Sequence, residues 1–348
     1  MCYSVQNPNA NVRYGSEADI QTEGLSEPRL RCVTFHLAVT TKDMGIETMS
    51  EPKRLIDTQE AVTPVVLDAM QAGPERLRNV MAAFVRHVHA FVREIRPTEA
   101  EFDQGIAFLN AIGAATSDTH NEGMIFADIL GVSTLSCMLN NGNGGPTEPA
   151  AALLGPFWRM NQPRTENGGS IIRSPTSGPA LFAKCRITGP TGAPIAGVEV
   201  DVWHASTVGM YDIQDEGQAD MNLRGKFTTD ADGAFWFRSV RPVGYPIPVH
   251  GPSGVLLAAQ QRLPLRPAHL HFLAFREGYK TLISQIFVND DEHLDHDVTF
   301  GVTKYLIGNF ERHTEASPAD DVVGPWYSMT HTLVMSPGRA ELPRPPIA

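Results

Sequence analysis

Apolar residues change their spacing once along this chain, and the change divides it. Between Leu55 and about Asn141 they recur every three or four positions, as in Leu77, Val80, Met81, Phe84, Val88, Phe91, Val92 and Ile95. That is the period of one helix face, so the pattern predicts a helix with this stripe buried. Pro97 and Thr98 end it. "TEAEFDQGIAFLNAIG" predicts a second helix, with Thr98 as N-cap and Glu101 three residues on, the arrangement of a capping box. "NEGMIFADILGVSTLSCML" predicts a third, and "NNGNGGPTEPAAALLGPFW" is a Gly-, Pro- and Asn-rich connector.

Past the connector the period falls to two. "LFAKCRIT", "GVEVDVWHA", "RGKFTTD", "GAFWFRSV", "AHLHFLAF" and "TLISQIFV" are short, alternating and rich in β-branched or aromatic residues, with turns such as "DADG" between them. Strands at this spacing predict an antiparallel β-sandwich. The expected class is therefore α+β: a helical N-terminal domain over 49–141, a linker over 142–170 and a sandwich over 171–348. Residues 1–48 show neither period and are expected to be a disordered tail or an unused upstream start, with Met49 as a second start-like point. The amphipathic helices carry more apolar surface than one chain easily covers, which predicts a homodimer packed through them.

At 348 residues the chain is long enough for two domains. A net charge of −11, with no basic block, argues against nucleic acid as a partner. No apolar run reaches the roughly 18 residues that suggest a membrane span. Cys2, Cys32, Cys137 and Cys185 are scattered, without a Cys-x-x-Cys pair, which suits a reducing cytoplasm better than a disulfide framework or a structural zinc site.

Two His-x-His pairs are the sharpest candidates for chemistry. His87 and His89 lie on the predicted helix, where residues two apart point to opposite sides. They are expected to be separate surface histidines flanking Val88. His269 and His271, in "RPAHLHF", lie on a predicted strand, where the same spacing puts both on one face. There they share a side with Leu273 and Phe275, while Leu270, Phe272 and Ala274 face the other way. A metal reading and a pair of hydrogen-bonded interior histidines are about equally consistent with that pair alone. Two tyrosines are also unusually placed. Tyr211 follows the strand "DVWHA", and Tyr245 sits among four prolines in "RPVGYPIPVHGP", where a stiffened loop can present it in one position. Phenolate is a hard donor that favours Fe(III).

With these residues in view the chain resembles the intradiol ring-cleavage dioxygenases. The stretches that carry the resemblance are "FADILGVSTL", "LLGPFW", "DVWHASTVGMYD", "LRGKFTTDADGAFWFRSVRPVGYPIPVHGPSG", "RPAHLHF" and "SQIFVNDD", from Leu55 to the C-terminus. The resemblance implies one non-haem Fe(III) per subunit, with Tyr211, Tyr245, His269 and His271 as its ligands. It also implies Arg266 as the active-site arginine, Gln285 as a glutamine beside the iron, and Tyr245 as the ligand that substrate displaces. The substrates would be an aromatic diol or triol and O2. Ile125, Asp128, Leu154, Gly155 and Pro156 would line the ring pocket. Asp128 either bonds a third ring hydroxyl or merely tethers its helix. The surroundings of Tyr245 are most similar to the branch that acts on hydroxyquinol, with catechol and chlorocatechols as alternatives; "LLGPFWRM" departs from the usual linker. A phospholipid between paired helical domains is also implied. The rival readings are a sandwich that only binds a small ligand and a zinc hydrolase built on His269 and His271, although no carboxylate ligand motif accompanies that pair.

Overall fold

The structure, a computed structural model, describes residues 55–117 and 120–345. The expected tail over 1–48 lies outside them, as do Cys2 and Cys32. The chain divides into two compact units, one up to Ile95 and the other from Arg96 onward.

In the first unit α1 (Val62–Ala69) packs along α2 (Glu75–Ile95). Arg93 on α2 donates to the Gln59 carbonyl at 3.1 Å and to Thr63 Oγ1 at 2.7 Å, and Thr63 Oγ1 is also 2.9 Å from His89 Nδ1. His87 is exposed on a different side of the helix. The predicted helix is present, but its apolar stripe is not buried. Phe84 is 60% exposed, Phe91 58% and Ile95 51%, and Val88 is exposed too; Val85 is the buried residue. Periodicity reports that an apolar face exists and says nothing of what covers it.

The second unit begins with α3 (Glu99–Ala115), whose capping box forms as expected. Thr98 Oγ1 accepts from the Glu101 amide at 3.3 Å, and Glu101 Oε2 accepts from the Thr98 amide at 2.8 Å. The expected third helix is two helices, α4 (Glu122–Ile129) and α5 (Val132–Asn141), bent 78° apart. Gly131 causes the break. It adopts φ +69, a left-handed conformation that side chains avoid, and its amide returns to the Asp128 carbonyl at 2.9 Å. Among the described residues no single helix is long and apolar enough to cross a membrane; α4 and α5 pass that test as a bent pair, on length and composition alone.

Eight strands follow: β1 (Ala180–Thr188), β2 (Glu199–Trp203), β3 (Arg224–Thr228), β4 (Ala234–Val240), β7 (His269–Phe275), β8 (Leu282–Val288), β9 (Ile307–His313) and β10 (Trp326–Val334). Their order is β3-β2-β7-β8-β9-β10-β1-β4. β9 serves both layers, pairing with β8 at Ile307 and Gly308 and with β10 from Asn309 onward. Inward residues of both layers, among them Leu181, Ile187, Phe235, Phe237, Leu270, Phe272 and Met329, form one core. Pairing is antiparallel except at β1/β10 and β8/β9, which are parallel. The sequence reading missed β9, β10 and α6 (Pro252–Ala259). A small pair, β5 (Tyr245–Pro246) and β6 (Leu265–Arg266), lies outside the sandwich.

β7 alternates as expected. Leu270, Phe272 and Ala274 enter the core. His269 and His271 are buried on the opposite face, where Leu273 joins a second cluster with Trp158, Trp203, Tyr211 and Tyr245.

Candidate active site

The outer face of the sheet carries a row of four residues in direct register. Arg224 on β3 opposes Trp203 on β2, Trp203 opposes His271 on β7, and His271 opposes Gln285 on β8. Same-face neighbours on adjacent strands stand about 5 Å apart, so each side chain steadies the next. The Trp203 indole stacks on the His271 ring with centroids 4.7 Å apart and planes 11° from parallel. Gln285 backs the other side, its Nε2 3.3 Å from His271 Nδ1 while donating to the Leu153 carbonyl at 2.8 Å. His271 therefore has little room to rotate.

Four polar atoms meet above this row. Tyr211 Oη lies 3.0 Å from Tyr245 Oη and 3.0 Å from His271 Nε2; Tyr245 Oη lies 3.2 Å from His269 Nε2, and the two Nε2 atoms are 3.0 Å apart. The centre of such a ring is about 2 Å from each corner, the length of an ordinary metal–N or metal–O bond. The protons do not suffice for these contacts. His269 Nδ1 lies 2.6 Å from the Pro267 carbonyl and must donate there, so in the neutral ring Nε2 is a bare lone pair. Two phenolic protons and one from His271 cannot bridge all four edges, and at least one edge sets lone pair against lone pair. Burial drives all four groups neutral: both phenols are pushed above their usual range, His269 is pulled down to about 3, and His271 lies well below its usual value. A cation at the centre would satisfy every lone pair and ionise the phenols. The residues present fit a hard trivalent metal.

Tyr211 is the more firmly held phenol. Phe157 from the connector stacks on it at 4.3 Å, and the Arg224 guanidinium lies 5.9 Å from its ring centre. Arg224 is only 1% exposed. It donates to the Phe157 carbonyl at 2.7 Å and pairs with the equally buried Asp212, which also accepts from Arg159 at 2.8 Å. Trp158, where the connector departs from the expected pattern, is buried and donates to Asp201 Oδ2 at 3.1 Å. Tyr245 sits on the two-residue β5, opposite Arg266 on β6.

Arg266 is buried beside the ring of donors. It donates to Gln285 Oε1 at 2.9 Å and to Asp297 at 3.2 and 3.3 Å, and the Asp297 carboxylate outweighs the desolvation of its charge. The expected pocket residues gather less uniformly. Gly155 adopts φ +71, and a Cβ there would stand 3.4 Å from His271 Cε1, so the connector passes directly over the site. Leu154 packs against the cluster containing Tyr211 and Tyr245. Ile125 on α4 packs with Ile129, Leu257 and Val298. Half-buried Asp128 leaves Oδ1 shielded from solvent and without a hydrogen-bond partner. Burial pushes its carboxyl up to about 6, and the charges of Arg266 and Asp297 reach it. Pro156 is exposed. His87 and His89 are not part of this site.

Sequence reasoning missed Trp203, Phe157, Arg224 and Asp297. Parity along "EVDVW" puts Trp203 on the connector side of β2, a usable signal. Nothing in the sequence brings Asp297 to Arg266.

Two phenols and two imidazoles in a dry pocket, roofed by a connector and flanked by a buried arginine, form a set of hard donors that suits a non-haem metal. Among the described residues no group of three or more His, Cys, Asp or Glu side chains forms a metal cage, so the carboxylate a zinc hydrolase would use is missing from the set. The comparisons place the chain among dioxygenases. Residues 154–330 match the family described as "Dioxygenase", and residues 74–144 match "Catechol dioxygenase N terminus". The chain is 37% identical over 298 residues to a hydroxyquinol 1,2-dioxygenase of Rhizobium sp. (strain MTP-10005), covering 84% of this chain and 100% of that protein. It is 39% identical over 261 residues to a 6-chlorohydroxyquinol 1,2-dioxygenase of Cupriavidus pinatubonensis, covering 74% and 94%. Among solved structures, the hydroxyquinol 1,2-dioxygenase of Pseudomonas putida DLL-E4 superposes with a TM-score of 0.74 at 33% identity, over 80% of this chain and 99% of that one. The chain belongs to the intradiol ring-cleavage dioxygenase family and is a ring-cleaving oxygenase.

The Arg224–Asp212 pair supports Tyr211 at a stability cost that can be measured. Asp212→Ala leaves a buried guanidinium without its carboxylate and is expected to lose about 3–5 kcal/mol in chemical denaturation of the unit from Arg96 onward.

Proposed function

We propose that the protein cleaves hydroxyquinol between its two adjacent hydroxylated carbons, inserting both atoms of O2, and that Tyr211, Tyr245, His269 and His271 hold one Fe(III) per subunit. The ring of four donors with too few protons supports the metal, and the unpartnered Oδ1 of Asp128 supports the substrate. When bound, iron would supply a Lewis-acidic centre that the two adjacent diol oxygens could chelate and that would make the ring reactive toward O2. Trp203 and Gln285 keep the His271 ring in its plane. Phe157 and Arg224 fix Tyr211; Tyr245, on the short β5, would be the phenolate that takes a substrate proton on Oη. Arg266 presents a permanent positive charge where negative charge grows on the ring. Gly155 leaves space for the ring against His271, and Leu154 and Ile125 supply apolar wall. Pro156 stands in the same connector. Asp128 accepts a hydrogen bond from the third ring hydroxyl; catechol and chlorocatechols lack that group and would leave the carboxylate unpaired. The helical stretch and the sandwich would act as dimerisation and catalytic parts joined by the 142–170 linker, in the reducing cytoplasm.

Iron content near one per chain with a red-brown colour is the first expectation. Tyr211→Phe should bleach most of that absorption; full colour and activity in this variant would overturn the ligand set. Hydroxyquinol should exceed catechol in kcat/KM roughly tenfold to a hundredfold, the worth of about 1–3 kcal/mol for one buried polar group left unpaired. Asp128→Ala should erode that preference and keep the colour. Its carboxyl lies near 6, above the usual 3.8, and only the ionised form is a pure acceptor. The preference should therefore grow as pH rises through about 6 and fade below it. Equal turnover of catechol at all pH values would sink the hydroxyquinol assignment.

A second copy of the chain would cover the exposed face formed by Val80, Phe84, Val88, Phe91, Val92 and Ile95 of α2, with a phospholipid in the cleft between the two. Sedimentation should give a dimer and mass spectrometry of the intact protein a bound lipid. Phe84→Glu with Phe91→Glu should yield monomer.

A further inference from the structure

We infer that Asp297 is the positioning residue that turns one chosen edge of Arg266 toward the reacting ring; the inference rests on the ring-cleaving site proposed above. A guanidinium has five N–H groups in a rigid fork. In Arg266 the Nε proton goes to Asp297 Oδ1 at 3.2 Å, and Nη2 gives one proton to Gln285 Oε1 at 2.9 Å and one to Asp297 Oδ2 at 3.3 Å. That accounts for three of the five. The remaining two are on Nη1, one of them directed at the His269 Nε2 lone pair at 3.4 Å. Nη1 is thus the edge that faces the ring of donors, with one proton left for substrate. Asp297 holds the opposite side of the fork, and without it the guanidinium could rotate about its last bonds and present a different nitrogen.

The carboxylate is itself held more tightly than an ordinary ion pair requires. Oδ1 accepts from the Thr299 amide at 3.3 Å and Thr299 Oγ1 at 3.2 Å, and Oδ2 accepts from Thr299 Oγ1 at 3.0 Å and the Gly301 amide at 2.8 Å. A Cβ at Gly301 would come within 3.0 Å of Oδ2 and 3.1 Å of Arg266 Nη2, so a side chain there would crowd the pair. Asp297 is 5% exposed. The same loop reaches the helical wall of the pocket. Val298 packs against Ile129 of α4 and Leu257 of α6, and the Thr299 carbonyl accepts from Thr134 Oγ1 on α5 at 3.1 Å. One turn therefore sets the arginine edge and braces the wall that carries Ile125 and Asp128.

Asp297→Asn keeps the size of the side chain but replaces one acceptor with an NH2 that faces the guanidinium. Thr299→Val keeps the charge and removes only the hydroxyl that fixes it. Each variant is purified with its iron, and four quantities are read: iron content, melting temperature, anaerobic affinity for hydroxyquinol from the change in the visible band, and the rate of ring cleavage once O2 is admitted. Asp297→Asn is expected to bind substrate anaerobically much as the wild type does and to cleave it about a hundredfold more slowly, the size of effect a misplaced catalytic group produces. Thr299→Val should show a smaller loss in the same step, with iron content and anaerobic affinity unchanged. Cleavage by Asp297→Asn at the wild-type rate, or a loss that follows iron content or anaerobic affinity, overturns the inference. If Asp297→Asn does not fold, a full cleavage rate in Thr299→Val overturns it instead. Failure of the underlying site reading looks different: the unaltered protein would then lack iron or fail to cleave the ring.

Discussion

The whole site rests on the two-residue period of β7. One strand must send Leu270, Phe272 and Ala274 into the core between the layers and, by the same pleat, His269 and His271 to the other side. A slip of one residue would turn the imidazoles into the hydrocarbon core and Leu270, Phe272 and Ala274 to the outer face, so the register that builds the fold also builds the ring of donors. Everything else is arranged around those two rings. Trp203 and Gln285 flank His271 because β2 and β8 flank β7 in register. The connector closes over the face with Gly155, Phe157 and Trp158.

Dryness is what makes the cluster act. Tyr211, Tyr245, His269, His271 and Arg266 are all nearly inaccessible to solvent. In that setting burial holds the phenols and imidazoles in their neutral forms, and the permanent charge of Arg266 is matched by Asp297 beside it. The buried pairs Arg224–Asp212 and Arg266–Asp297 are poor evidence for stability, since desolvating ions costs as much as pairing them returns. Their value here is direction. A guanidinium locked by a carboxylate cannot turn, and the aromatic or charge it faces is thereby fixed.

The helical part shows the opposite economy. Its apolar side chains on α2 are left at the surface of a single chain, with Val85 the buried exception. Such a face is stabilising only against something apolar, whereas the sandwich buries its apolar side chains within itself.

The sequence by itself determined what depends on near neighbours in the chain. The capping box at Thr98 and Glu101 is spelled within four residues, and the faces of β7 follow from alternation alone. The helical position of His87 and His89, which keeps them apart, is equally local. That Tyr211, Tyr245, His269 and His271 would meet was legible because the stretches around them resemble a known family, not because any local rule unites residues 60 positions apart. Tertiary structure decided the rest. Whether the α2 stripe is covered depends on what packs against it, and the break at Gly131 depends on a left-handed turn that Phe300 closes over. The parallel pairing of β1 with β10 joins the two ends of the sandwich, which no local pattern signals. Asp297 meets Arg266 across 31 positions through a turn stapled to three other elements. Such contacts are set by the closing of the chain on itself, and a residue's own neighbourhood in sequence carries no record of them.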